Sequence, residues 1–179
     1  ENVVVISSGD AGIYGMAGLV LELLMKMDED QRPEFGGVIP GVSAMSAAAG
    51  LLGAPIMHDF AVISLSDLLT PWELIQERAE LAAKGDFVTV LYNPRSHKRV
   101  GQIQAVQEIF LRERAPETPV GIVTSASREG ENVVISTLGA FTKEDINMFS
   151  IVIIGNSKTK QNGQWMITPR GYQKREPGL

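Results

Sequence analysis

The sequence predicts an α/β protein with a two-lobed fold and mostly parallel sheets. Short apolar segments of strand length alternate along the chain with longer segments whose apolar residues recur at helical spacing. Turns rich in glycine, serine and proline separate the two kinds of segment, which is typical of parallel strands joined by helical crossovers. The alternation restarts after His58, so we expect a first lobe over residues 1–59 and a second lobe over residues 60–179.

Two strands and two helices are expected in the first lobe. Asn2 to Ile6 is apolar and β-branched on both faces, as in a buried parallel strand. A helix over residues 13–27, a short strand over 37–39 and a helix over 44–52 follow. Ser43 is the expected N-cap of the last helix, because its hydroxyl can accept a hydrogen bond from a first-turn amide.

The second lobe continues the pattern with five strands and two helices. Thr70 and Glu73 have the spacing of a capping box, with Pro71 at the first helical position, so we expect a helix from Pro71 to Lys84. A second helix, over residues 99–114, carries its apolar residues on one side. The expected strands cover residues 60–64, 87–92, 120–123, 133–137 and 151–154.

Composition excludes several function classes. The chain has 179 residues, a net charge of −5 and no cysteine, so disulfides, thiolate metal sites and a cysteine nucleophile are excluded. Two isolated histidines, His58 and His97, do not make a metal site. The acidic balance argues against nucleic-acid binding. Glycines and prolines interrupt the one long uncharged stretch, residues 36–57, so it does not form one continuous membrane-spanning helix. We therefore expect a cytoplasmic protein with small-molecule partners and no membrane span.

Four loops that follow predicted strands are rich in glycine, serine and alanine, and ligands of α/β sheets bind at such strand ends. The first loop has Gly9, Gly12 and Gly15 at intervals of three, which is not the dinucleotide fingerprint, and the chain has no Walker A lysine motif. An alternative interpretation, in which Asp10 only caps the next helix, stays open. The loops are residues 7–15, 40–44, 92–96 and 124–131.

Five motifs follow one another in a distinctive order and spacing: SSGDAGIYGMA, PGVSAMSAAAGLLGAPIMHDFAVISLSD, LYNPRS, SREGE and MITPRGY. Together they resemble the tetrapyrrole (corrin/porphyrin) methyltransferases over essentially the whole chain, and most closely those that act on precorrin-3B or cobalt-factor III. The resemblance implies methylation of C17 with ring contraction in cobalamin biosynthesis. It also implies S-adenosylmethionine (SAM) in a cleft between two α/β lobes, S-adenosylhomocysteine (SAH) as product, a tetrapyrrole substrate and a homodimer.

The same resemblance implies site residues. Those expected to bind SAM are Ser8, Gly9, Asp10, Ile13, Ser43, Ala44, Asn93 and Ala126. Asn93 stands where many relatives have a methionine, so that contact differs here. Because the substrate bears many carboxylates, basic residues are candidates to dock it. These candidates are His58, Arg95, His97, Lys98, Arg99 and Arg128.

Family members begin with an earlier strand and glycine-rich loop, so we expect the first lobe to be N-terminally incomplete and this polypeptide to have little activity alone. Catalytic acid and base residues are therefore not assigned. Two alternatives stay open. One is a related SAM-dependent methyltransferase that acts on another substrate, and the other is a non-catalytic α/β module for ligand binding or dimerisation.

Overall fold

The computed structural model describes residues 2–96 and 99–172. The chain divides into two compact units, Glu1–Ser46 and Ala47–Leu179. The lobe boundary after residue 59 stays a prediction. No helix in the described part of the chain combines the length and the apolar character needed to cross a lipid bilayer.

The first unit contains helix α1 (Ala17–Met25), and helix α2 (Ala44–Leu52) begins at its end. α2 has the predicted bounds and the predicted cap, because the Ser46 amide donates to Ser43 Oγ at 3.1 Å. α1 begins later than predicted. The residues before it form a turn in which the Ala17 amide donates to the carbonyl of Ala11 at 2.9 Å.

The two strands predicted for the first lobe are wrong. Residues 2–6 and 37–39 have irregular backbone, and the side chains of Val3 and Ile6 are 84% and 88% exposed. An apolar, β-branched segment becomes a strand only when a neighbour accepts and donates its ladder hydrogen bonds. Among the described residues, no segment forms a ladder with either of them.

The second unit contains the elements that the sequence predicts there. The predicted helices and strands are confirmed to within three residues at each end, whereas the short strands over residues 53–54, 160–162 and 165–167 were not predicted. The predicted capping box is also wrong, since Pro71 is the N-cap of the helix Trp72–Lys84 and no side chain caps that helix. The elements are β1 (Gly53–Ala54), β2 (Phe60–Ser64), α3 (Trp72–Lys84), β3 (Val88–Tyr92), α4 (Gln102–Leu111), β4 (Pro119–Thr124), β5 (Asn132–Thr137), a 3₁₀ turn (Phe141–Lys143), β6 (Ser150–Ile154), β7 (Lys160–Asn162) and β8 (Trp165–Ile167).

The larger sheet is mixed, so the prediction of mostly parallel sheets is wrong although the α/β class is right. Its strand order is β2-β3-β6-β4-β5, with β2 and β3 parallel and every other neighbouring pair antiparallel. Residues 125–131 are too short to cross over the sheet, so β4 and β5 form a hairpin. In the smaller sheet, β8 lies between β1, which is parallel to it, and β7, which is antiparallel.

This topology collects the strand ends at one edge. β3 and β4 are both antiparallel to β6 and therefore run in the same direction, and β2 runs parallel to β3. The carboxyl ends of β2, β3 and β4 thus share one edge of the sheet with the start of β6. Helices α3 and α4 pack on the sheet through buried residues such as Ile75, Ala79, Ile103 and Phe110. This buried core supports the edge.

A buried arginine ties together the opposite edge. The Arg114 guanidinium donates to the carbonyls of Phe87 at 2.7 Å and Gly155, which lie at the start of β3 and the end of β6. Asp86 Oδ1 lies 3.7 Å from Nε. Burial lowers the pKa of Arg114 to about 10, and the charge of Asp86 partly opposes that shift. Arg114 therefore links the helix layer to the sheet through main-chain carbonyls.

Candidate functional site

In the first unit, the carboxylate of Asp10 organises the loop over residues 7–15. Oδ1 accepts hydrogen bonds from the amides of Gly12 at 2.8 Å and Ile13 at 3.1 Å, and Oδ2 accepts one from Gly41 at 3.0 Å. The amides of Gly12 and Gly41 are the main cause of a pKa below the ordinary 3.8 for Asp10, with a smaller contribution from Ile13. Asp10 thus stays ionised and joins two loops, rather than capping α1.

The two loops meet backbone to backbone. A Cβ atom at position 41 would collide with the carbonyl oxygen of Gly9, so only glycine allows this approach. Gly9 itself has a φ of +77°, in the left-handed region that favours glycine. Ser8 and Gly9 are exposed, which leaves their backbone groups open to a ligand.

The remaining predicted residues of the first unit differ in accessibility. Ser43 is buried, and its hydroxyl accepts the Ser46 amide and lies 2.9 Å from the Ser46 hydroxyl. Ala44, the first residue of α2, and Ile13 are both exposed. The hydroxyl of Ser43 therefore shapes the start of α2, while Ala44 and Ile13 offer surface for contact.

In the second unit, Asn93 follows β3 at the edge where the strand ends collect. It has a φ of 50°, and its Nδ2 donates to Oγ of Ser64, the last residue of β2, at 3.0 Å. A left-handed conformation costs about 1–2 kcal/mol for most residues, and asparagine is among the few that adopt it readily. The side-chain bond to Ser64 helps to hold the turn.

Arg99 contacts the same turn through main-chain carbonyls. Its Nη1 donates to the carbonyl of Leu65 and to that of Asn93, both at 2.9 Å, and its side chain is only 11% exposed. Asp67 Oδ1 lies 3.6 Å from Nε, and Gln102 donates to the other oxygen of Asp67 at 3.2 Å. The guanidinium therefore connects the loops after β2 and β3.

The turn after β4 also has an unusual backbone. Ser125 and Ser127 have φ values of 52° and 59°, and the half-buried Ala126 lies between them. The Ser127 amide donates to Glu131 Oε2 at 2.6 Å, and the Ser125 amide donates to the carbonyl of Phe149 at 3.1 Å. Left-handed residues other than glycine are concentrated at functional sites in many proteins, and here they end both β3 and β4.

The other docking candidates have fewer contacts. Nδ1 of His58 accepts the Asp59 amide at 2.8 Å, and the histidine side chain is about one-third exposed. Arg95 is half-buried, and Arg128 is exposed in the turn after β4. The predictions for His97 and Lys98 fall outside the described residues. Within residues 2–96 and 99–172, no group of three acidic or histidine side chains is arranged to hold a metal ion.

The sequence analysis missed Ser64, Asp67 and the carbonyl of Leu65 as members of this site. Ser64 is 29 residues from Asn93, and Leu65 is 34 residues from Arg99. A signal was nevertheless present for Ser64, because it is the last residue of a predicted strand, as Tyr92 before Asn93 is. The partners of Arg99 are backbone atoms, for which side-chain patterns give no signal.

Comparisons with known proteins agree with the family resemblance of the five sequence motifs. The sequence profile described as Tetrapyrrole (Corrin/Porphyrin) Methylases matches residues 1–142. A cobalt-factor III methyltransferase of Priestia megaterium is 52% identical over 178 residues, covering 98% of this chain and 33% of that protein. A probable cobalt-factor III C(17)-methyltransferase of Salmonella typhimurium is 52% identical over 172 residues, covering 96% of this chain and 70% of that protein.

Solved structures give the same result. The crystal structure of the methyltransferase CobJ is 38% identical, with a TM-score of 0.87, over 93% of this chain and 70% of that one. A uroporphyrin-III C-methyltransferase from Thermus thermophilus, complexed with S-adenosyl homocysteine, shares the fold with a TM-score of 0.59 at 23% identity, over 82% of this chain and 62% of that one. The chain thus spans one-third of the Priestia protein and 70% of CobJ. As the motifs predicted, the chain belongs to the tetrapyrrole (corrin/porphyrin) methylase family.

Proposed function

We propose that this chain is part of a SAM-dependent methyltransferase that methylates C17 of precorrin-3B or cobalt-factor III, with contraction of the ring, in cobalamin biosynthesis. The observation that carries the proposal is the 52% identity to two relatives named for the cobalt-factor III reaction. That identity extends over at least 96% of the chain and therefore includes the loops over residues 7–15 and 40–44 in the first unit and the strand-end loops of the second unit.

The first-unit loop over residues 7–15 is suited to a donor such as SAM, which supplies a methyl group on a positively charged sulfonium. Small residues and exposed backbone at Ser8 and Gly9 allow a nucleoside to approach closely. The ionised Asp10 places a negative charge in the same loop, which favours a cationic ligand. We propose as donor contacts the residues Ser8, Gly9, Asp10, Ile13, Ser43, Ala44, Asn93 and Ala126.

For the tetrapyrrole, Arg95 and Arg128 are the best-supported docking residues among those described. They follow β3 and β4, whose ends share one edge of the sheet, and neither is fully buried. A guanidinium binds a carboxylate through two parallel hydrogen bonds, which suits a substrate with carboxylates around its rim. His58, His97 and Lys98 remain further candidates.

The chain's contribution to the chemistry is mainly orientation. Methyl transfer to a ring carbon needs no covalent enzyme intermediate, so the site residues bind both reactants at near-attack distance and exclude water. Ring contraction also requires proton transfer, and the residue responsible is not assigned. A homodimer and a cytoplasmic location are further parts of the proposal.

The test is methyl transfer by the intact protein from SAM to precorrin-3B and to cobalt-factor III, measured by mass spectrometry of the tetrapyrrole. We expect one added methyl group and equimolar SAH. Efficient methylation of a different tetrapyrrole would favour a related methyltransferase. The absence of SAM binding would favour the non-catalytic module.

A matched pair of glycine variants tests the role of the first-unit loop in that assay. Gly41→Ala introduces a Cβ that collides with the carbonyl of Gly9, so we expect a large rise in the KM for SAM. Gly18→Ala is the control, since a Cβ there meets nothing within 4 Å and lies in α1. Equal KM values for the two variants would contradict the assignment of this loop to the donor.

A further inference from the structure

We propose that Arg99 is a positioning residue that holds the turn after β3 in the conformation needed to bind the methyl donor. The sequence alone suggests a docking role for Arg99, because it lies in a basic stretch and the substrate is acidic. The inference rests on the proposed function, in which Asn93 contacts SAM. It assigns to Arg99 an effect on donor binding that a docking residue would not have.

The direction of the guanidinium group supports this positioning role. A single nitrogen, Nη1, donates to the carbonyls of Leu65 and Asn93, both at 2.9 Å. These carbonyls belong to the loops after β2 and β3, so the arginine crosslinks two strand ends. With only 11% of its side chain exposed, the charge is directed into the protein rather than toward a ligand.

The surroundings of Arg99 also indicate a fixed structural element. The Ser96 amide donates to the Arg99 carbonyl and the Arg99 amide donates to Ser96 Oγ, both at 3.1 Å, which closes the segment back toward Asn93. Asp67 lies 3.6 Å from Nε and is itself held by Gln102. The guanidinium thus has a counter-charge and two acceptors in a defined arrangement.

Asn93, whose carbonyl Arg99 contacts, has a backbone conformation that requires stabilisation. Asn93 has a left-handed φ of 50°, and its side chain bonds to Ser64. Arg99 stabilises the carbonyl side of this residue, while Ser64 fixes its side chain. Loss of either bond allows the turn to relax toward an ordinary conformation, and the groups that Asn93 presents to the donor then move.

The experiment measures SAH affinity of the intact protein by calorimetry for the wild type, Arg99→Ala, Arg99→Lys and Asn93→Ala. We expect Arg99→Ala to weaken SAH binding at least tenfold. Arg99→Lys should recover part of that loss, since an ammonium reaches a carbonyl but lacks the planar fork. The double variant of Arg99→Ala and Asn93→Ala should lose less SAH-binding free energy than the two single variants lose together, because both changes release the same turn.

Two controls separate positioning from general stability and from charge. Leu138→Ala alters the core next to the opposite edge of the sheet, where its amide bonds to Thr118, and should lower the melting temperature without changing SAH affinity. Arg112→Ala removes an exposed arginine and should leave both unchanged. If Arg99→Ala does not fold, Arg99→Lys carries the test, with at least a threefold loss of affinity expected.

Each outcome decides between the hypotheses. SAH affinity within twofold of wild type in Arg99→Ala, with a raised KM for the tetrapyrrole, would overturn positioning and restore the docking role. A loss of SAH-binding free energy in the double variant equal to the sum of the two single losses would also contradict the proposal. If the wild type itself binds no SAH, the proposed function fails, and this inference fails with it.

Discussion

Two segments with nearly the same kind of sequence have opposite structures in the two units. Residues 2–6 and strand β6 are both short, apolar and rich in β-branched residues. In β6, Ile153 and Ile154 are fully buried, and β3 and β4 flank the strand on both sides. In the first segment, Val4 and Ile6 are 79% and 88% exposed, and the backbone is irregular. Intrinsic preference therefore identifies a potential strand, while partner strands decide whether it forms.

The largest expected effect comes from truncating the same kind of side chain in both segments. Ile153→Ala should lower the free energy of unfolding by about 2–5 kcal/mol, because it leaves a cavity in the core. Val4→Ala should change it by less than about 0.5 kcal/mol, since the side chain is exposed. Urea unfolding followed by circular dichroism measures both. A cost for Val4→Ala as large as that for Ile153→Ala would show that the first segment is buried in solution.

A smaller effect is expected at the far edge of the larger sheet. Arg114→Met removes hydrogen bonds to the carbonyls of Phe87 and Gly155, and unsatisfied buried acceptors should cost about 1–3 kcal/mol. Arg112→Ala, which removes a mostly exposed arginine near Glu80, should cost less than about 1 kcal/mol. Thermal unfolding of the two variants gives the comparison. Similar melting temperatures would mean that Arg114 is not a link between helices and sheet.

The smallest effect concerns Asp10, which supports the first unit through hydrogen bonds rather than apolar packing. Its pKa is lower in the folded chain than in the unfolded chain, so its contribution to stability is fully present above the unfolded value and is lost as the pH falls through the folded value. We expect Asp10→Asn to speed hydrogen exchange at the Gly41 amide at neutral pH.

In the wild type, the exchange protection of Gly41, corrected for intrinsic pH effects, should persist down to a pH below the ordinary 3.8 of an aspartate. Asp145→Asn, an exposed change in the second unit, serves as the control and should leave Gly41 unaffected. Unchanged protection in Asp10→Asn would show that another group orders the loop.

The same contrast explains how much could be predicted from the sequence. α2 and β2 were predicted with the bounds they have, since local periodicity and the Ser43 cap determine them. The insertion of β6 between β3 and β4 could not be predicted, because pairing depends on contacts between segments far apart in the chain. β7 and β8 have three residues each, too few to show a period.

The site shows the same limit. The proposed site positions come from motifs that resemble those of a family, and family membership is confirmed. The roles of single residues were harder to predict from the sequence. Asp10 accepts from three backbone amides, and Arg99 donates to two backbone carbonyls. Such partners have no side-chain signature, so a charged residue that organises a loop resembles, in sequence, one that binds a ligand.

The most direct test of the central claim is hydrogen–deuterium exchange of the intact protein with and without SAH. If the proposed donor contacts are right, SAH should slow exchange in residues 7–15 and 40–44, and also around Asn93 and Ala126, while the far-edge residues around Phe87 and Gly155 stay unchanged. Protection confined to other segments, or none at saturating SAH, would contradict the account.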